Sequence, residues 1–214
     1  MATKVNPRDY IPASVAPIRV DPPGTVTAMP SPNKMHHIHI YADQHYEEVV
    51  EFYCTLLNAE MVRERPNNVT FLTYDDFDHR IAIFKREGWS KRADKTLGVS
   101  HVAFAYDSLG ELMHIYKTMK ALGHTPHRAL NHGNSTSFDY RDPDGNEVEI
   151  MMDNYAPLDN QAYKRHYQGT ADFGSSADGD FDPEKMLALY EQGVPDSVLL
   201  DREEVKRLAA EGKL

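Results

Sequence analysis

The sequence predicts an α+β fold made of two similar βαβββ modules, flanked by an extended N-terminal arm and a C-terminal helical tail. Three observations point there. First, His37-Ile38-His39-Ile40-Tyr41-Ala42-Asp43 and His101-Val102-Ala103-Phe104-Ala105-Tyr106-Asp107 share one length and one alternating character, each opening on a His and closing on an Asp. The two leading histidines stand 64 residues apart, and an aromatic follows each by 15 residues, Phe52 and Tyr116. Second, each alternating segment is followed by an apolar run at helical spacing and then by three strand-like runs. Third, both ends of the chain lack this pattern and differ from each other in composition. Two such modules packed together place equivalent strands, and so the two histidines, close to one another.

Residues 1–34 carry prolines at 7, 12, 17, 22, 23, 30 and 32 with no sustained period, which predicts an extended arm. The first module covers 35–87. Its opening strand, 35–42, alternates and is rich in β-branched and aromatic residues. From 46 to 57, Val49, Val50, Phe52, Tyr53, Leu56 and Leu57 follow helical spacing. Strand-like runs follow at 60–64, 69–74 and 80–85, and Gly88 to Gly98 is a polar connector.

The second module covers 99–154. A strand over 99–106 leads to a helix with Leu109, Leu112, Met113, Tyr116, Met119 and Leu122 on one stripe, which Gly123 ends. Strands are expected near 125–130, 135–141 and 146–152, the last two joined by Asp142-Pro143-Asp144-Gly145-Asn146, whose Asp-Gly pair suits a tight turn. Beyond Asn154 the tail, 155–214, begins with a loose Gly/Ser/Asp-rich segment. A helix capped by Asp182 with Pro183 in its first turn follows, and then a short charged helix over 201–212.

Composition excludes several classes of function. With 41% hydrophobic and 26% charged residues the chain reads as an ordinary globular protein. A net charge of −10 and a pI near 5.5 leave no basic stripe to neutralise phosphates, so no nucleic-acid partner is expected. No apolar run approaches the roughly 20 residues that span a bilayer, and Met1 to Lys34 has no apolar stretch of the signal-peptide kind, so no membrane partner is expected either. The lone Cys54, set in an apolar helix pattern, is read as a buried thiol in a reducing compartment, the cytoplasm.

Chemistry enters through the repeated histidines. Residues two apart on a strand share a face, so His37, His39 and Tyr41 point one way. The last strand of the second module offers Glu147 and Glu149, also on one face. Two imidazoles and one carboxylate from central strands of paired modules make a 2-His-1-carboxylate site with open positions, a pattern suited to non-haem Fe(II).

These residues, with Asn131-His132-Gly133, Ser137 and the run Tyr140-Arg141-Asp142-Pro143-Asp144-Gly145-Asn146-Glu147-Val148-Glu149, resemble the vicinal oxygen chelate superfamily over about residues 35–154. That superfamily includes glyoxalases, bleomycin-resistance proteins and type I extradiol dioxygenases. The resemblance implies a half-open, cup-shaped sheet around one metal, with His37, His101 and Glu149 as ligands and Glu147 at the rim. Glyoxalase-type sites add a carboxylate from the last strand of the first module. Here that strand reads His79-Arg80-Ile81-Ala82-Ile83-Phe84 and resembles the extradiol pattern, whose histidine is an acid–base group. This role falls on His79, and a substrate hydrogen bond falls on His132. Where these relatives carry a tyrosine two residues after the Ser, this chain has Asp139, with Tyr140 next to it. Either Asp139 takes the hydrogen-bonding role or Tyr140 reaches in through a bulge.

The implied activity is that of a short, one-domain extradiol dioxygenase of the biphenyl-diol type. Its cofactor is Fe(II) and its substrates are a small aromatic diol and O2, with His39 lining the pocket and a homo-oligomer expected. Two alternatives stand beside it: an isomerase, hydratase or lyase using Mn, Ni or Zn at the same ligands, and a non-catalytic binder of the bleomycin-resistance kind.

Overall fold

The computed structural model describes residues 22, 24, 25, 27–91, 93, 95–167 and 179–214. The chain divides into two compact units, Met1–His36 and His37–Leu214. The expected N-terminal arm lies largely outside the described residues, and the described part of the first unit carries no helix or strand.

In the second unit, the first module consists of β1 (Ile38–Ala42), α1 (Tyr46–Leu56), β2 (Glu60–Arg65), β3 (Val69–Thr73) and β4 (Ile81–Lys85). The second consists of β5 (His101–Ala105), α2 (Leu109–Ala121), β6 (Arg128–Asn131), β7 (Ser135–Arg141) and β8 (Glu147–Asp153). Each module forms an open four-stranded mixed sheet, ordered β1-β4-β3-β2 and β5-β8-β7-β6. In both, the first strand runs parallel to the last and the remaining pairs are antiparallel. The architecture is α+β, as the repeat predicts.

Period-2 alternation sorts the side chains. One face of each sheet meets a helix: Val49, Phe52, Tyr53 and Leu56 of α1 are buried with Leu72, Ile81 and Ile83. Leu109, Leu112, Met113, Tyr116 and Met119 of α2 are buried with Phe138, Tyr140, Val148 and Ile150. The other face keeps the polar set, so His39 and Tyr41 on β1 and His101 on β5 are exposed. Local signals place the ends. Ser108 accepts from the Glu111 amide while Glu111 accepts from Ser108, a capping box that starts α2. Asp142 organises the β7–β8 turn by accepting from the amides of Asp144 and Asn146 at 3.0 and 2.9 Å, and Gly145 takes φ +89° there.

The tail departs from expectation at its start. Pro157–Tyr167 is a helix, α3, where a loose segment was expected, and 168–178 lie outside the described residues. Its low hydrophobicity hides it in the sequence. Tyr163 stacks on Tyr155 and also on Tyr167, one turn further along, and Asn160 donates to Asp153 at the end of β8. Then follow α4 (Pro183–Glu191), capped by Asp182 as expected, α5 (Asp196–Leu199) and α6 (Arg202–Ala210). These helices pack on the second module. Met186, Leu199, Val205 and Leu208 join its core, and buried Arg202 donates to the Asn131 carbonyl at 2.6 Å.

Candidate metal centre

β5 and β8 pair in parallel with His101 opposite Glu147 and Ala103 opposite Glu149. The His101 ring nevertheless turns to Glu149, placing Nε2 3.2 Å from Oε2. Glu147 is engaged elsewhere: Arg141 donates to it at 2.8 Å and His127 lies 3.6 Å away, and the Arg141 contact holds its carboxyl below the usual range. Two donors each about 2.1 Å from one ion and at right angles to one another are about 3.0 Å apart, so the His101–Glu149 spacing suits neighbouring ligands of a single divalent ion. An imidazole with a carboxylate also matches the donor chemistry of non-haem Fe(II).

His37 lies one residue before β1, its ligand atom within 4.8 Å of that of His79. It packs against His79, with ring centroids 4.6 Å apart, because the chain before β4 runs alongside β1: the Ile38 amide donates to the Arg80 carbonyl. Among the described residues, the ligand atoms of His37, His101 and Glu149 do not all lie within 4.8 Å of one another. The structure thus joins two of the three expected ligands and sets the third beside the expected acid–base histidine. His79 is mostly buried, with Nδ1 2.6 Å from the Asp78 carboxylate and its ring edge-on to Phe71. The Asp78 carboxylate at Nδ1 orients the His79 ring.

Asp139 and Tyr140 take opposite faces. β7 pairs with β8 without a register shift, and Asp139 lies opposite Glu149 on the polar face. Burial, then the charge of Glu149, raises its pKa. Tyr140 faces α2, is fully buried, and its hydroxyl has no hydrogen-bond partner among the described residues. The bulge that would turn Tyr140 toward the metal is absent, and its expected site role is corrected: it is a core residue. His132, in the β6–β7 connection, keeps an exposed edge, while the protein around its ring lowers its pKa against the opposing pull of Glu149. The His39 ring lies tilted against Phe84 at 4.2 Å and Tyr41 at 4.7 Å, and partial burial followed by the charge of Arg86 lowers its pKa.

A cavity of about 1000 Å³ opens between the free edges of the two sheets, lined by His39 and Tyr41 on β1, His101 on β5, and Arg86 and Trp89 beyond β4. Arg86 carries only a faint sign in the sequence. Its signal is parity: it continues the face of Ala82 and Phe84 one position past the strand end.

The repeated βαβββ modules, each forming one open four-stranded sheet, define the class of fold to which the chain belongs. The chain belongs to the Glyoxalase/Bleomycin resistance protein/Dioxygenase superfamily, whose family model matches residues 34–150. It is 37% identical over 158 residues to biphenyl-2,3-diol 1,2-dioxygenase 3 of Rhodococcus globerulus, covering 72% of this chain and 80% of that one. It is 31% identical over 172 residues to biphenyl-2,3-diol 1,2-dioxygenase 2 of the same organism, covering 79% of this chain and 86% of that one. Among solved structures, lactoylglutathione lyase from Agrobacterium tumefaciens aligns at 25% identity and a TM-score of 0.46, covering 56% of this chain and 94% of that one.

Proposed function

We propose that this chain is an Fe(II)-dependent extradiol dioxygenase that opens the ring of a catechol-type diol beside one hydroxyl, incorporating both atoms of O2. The observation that carries the reading is the His101–Glu149 contact at 3.2 Å on the polar face of the second sheet. The named activity of the two Rhodococcus relatives, at 37% and 31% identity, supports it. His101 and Glu149 would hold the iron, and His37 would join them as third donor by turning away from its contact with His79. The ion's charge would acidify a bound diol and its open positions would admit dioxygen.

The chain's other groups handle protons and orientation. His79, oriented by the Asp78 carboxylate, would take a proton from a diol hydroxyl and later return it. His132 and Asp139 flank Glu149 and supply hydrogen bonds to the substrate. Asp139, opposite Glu149 on the polar face, would accept a hydrogen bond from a donor group on the substrate. His39 forms part of the cavity wall. The lone Cys54, partly buried in α1, fits a reducing, cytoplasmic setting.

The test is direct. The protein is loaded anaerobically with ferrous iron, mixed with a panel of catechols and exposed to air. A yellow ring-opened product with one O2 consumed per diol is expected. Turnover supported by Mn, Ni or Zn without oxygen uptake would place the chain with the isomerases, hydratases or lyases instead.

A further inference from the structure

We propose that the cavity between the sheet edges selects an aromatic diol bearing a carboxylate side chain, with Arg86 as the anchor for that carboxylate. The inference rests on the dioxygenase reading and names its substrate class. At about 1000 Å³ the cavity reaches the upper end of the roughly 300–1000 Å³ usual for small-molecule sites, far more than a bare catechol fills. It extends from His101, one of the paired donors, to Arg86 and Trp89.

Arg86 is placed for an anion. Its guanidinium lies 5.1 Å from the ring of Tyr41, 5.2 Å from Phe84 and 6.0 Å from Trp89, and Nη1 donates to the Lys85 carbonyl at 2.9 Å. The aromatic shell and this bond orient the planar fork while leaving other N–H groups to act on a ligand. In a chain of net charge −10, Arg63, Arg80, Arg128, Arg141 and Arg207 each contact a carboxylate. Arg86 contacts none within 4.0 Å among the described residues, although acidic groups line the same cavity. Those groups have other partners: Asp43 accepts from the Gly88 amide, Asp144 from the Asp43 amide, and Glu147 from Arg141. A half-buried guanidinium walled by rings and without a carboxylate partner among the described residues suits a ligand that supplies both an aromatic body and a carboxylate.

The experiment uses dihydrocaffeate and the isomer with its chain ortho to the diol, each beside its methyl ester. In the iron-loaded enzyme, at least one acid should exceed its ester in kcat/KM by about 10- to 100-fold, the range for a hydrogen-bonded charge. Arg86→Met should bring that ratio near one, and Arg86→Lys should fall between. Binding is read separately in iron-free protein by quenching of Trp89, the only tryptophan of the chain. Equal kcat/KM and equal quenching for acid and ester in the unmodified protein overturn the inference, with no variant needed. A ratio that survives Arg86→Met overturns the assignment to Arg86. If neither diol is cleaved but acid-selective quenching is present and lost in Arg86→Met, the dioxygenase reading falls while the carboxylate subsite stands.

Discussion

Single residues divide the proposed chemistry cleanly enough to test one at a time. His101→Ala and Glu149→Gln each remove one of a touching donor pair, and His37→Ala removes the third proposed ligand. Each variant should lose stoichiometric iron by metal analysis while its far-ultraviolet dichroism is kept, because the buried helix contacts are untouched. Full metal in His101→Ala would remove it from the ligand set. His79→Gln should keep iron and slow turnover by about 10²–10⁴-fold, the range for a lost acid–base group, whereas loss of iron would make His79 a ligand. Asp139 stands opposite Glu149, so a catecholate bound there would face its charge. Asp139→Asn should therefore improve turnover of plain catechols relative to diols with a hydroxyl, amino or ammonium donor facing this position. Tyr140→Phe, on the opposite face, is the control and should leave that ratio unchanged. An unchanged ratio in Asp139→Asn would instead exclude Asp139 from the substrate.

At the scale of elements, the site depends on one turn. Asp142, 3% exposed, accepts from the amides of Asp144 and Asn146, from the Asn146 side chain, and from the Tyr53 hydroxyl of α1 at 3.3 Å. It thereby sets the register in which β8 presents Glu149 and ties the second module's turn to the first module's helix. Asp142→Ala leaves several buried donors without an acceptor. At about 1–3 kcal/mol for each group stranded in this way, a loss of roughly 2–4 kcal/mol is expected in urea unfolding, together with weaker iron binding. A change below about 0.5 kcal/mol would show that the turn holds its shape through Pro143 and Gly145 alone.

For the molecule as a whole, the tail belongs to the body. Met186, Leu199, Val205 and Leu208 are buried in the common core, and burying such a side chain contributes about 1.5–3 kcal/mol. Removing all four is comparable to the roughly 5–15 kcal/mol that stabilises a typical domain. A chain ending at Tyr167 should therefore lose its cooperative thermal transition and bind hydrophobic dye. A sharp melt near that of the full chain would show that the paired modules fold without α4, α5 and α6.

The sequence by itself determined the βαβββ repeat, because periods of 2 and 3.6 are written residue by residue and a 64-residue offset repeats them. It also determined which face of each strand carries His39, His101, Glu147 and Glu149, since alternation on a pleat needs no partner; β1 begins only at Ile38, so the expected strand over 35–42 is shorter at its start and leaves His37 outside it. It did not determine α3, whose polar composition hides a helix held by stacked tyrosines and by Asn160 on Asp153. Nor did it determine which donors touch. Strand register and competing partners decided that: Arg141 and His127 engage Glu147, His101 turns to Glu149, and the chain entering β4 sets His37 beside His79. Arg86 became visible only when Tyr41, Phe84 and Trp89, from a strand, its neighbour and a loop, closed around one guanidinium. Such contacts join residues distant in the chain, and local periodicity carries no record of them.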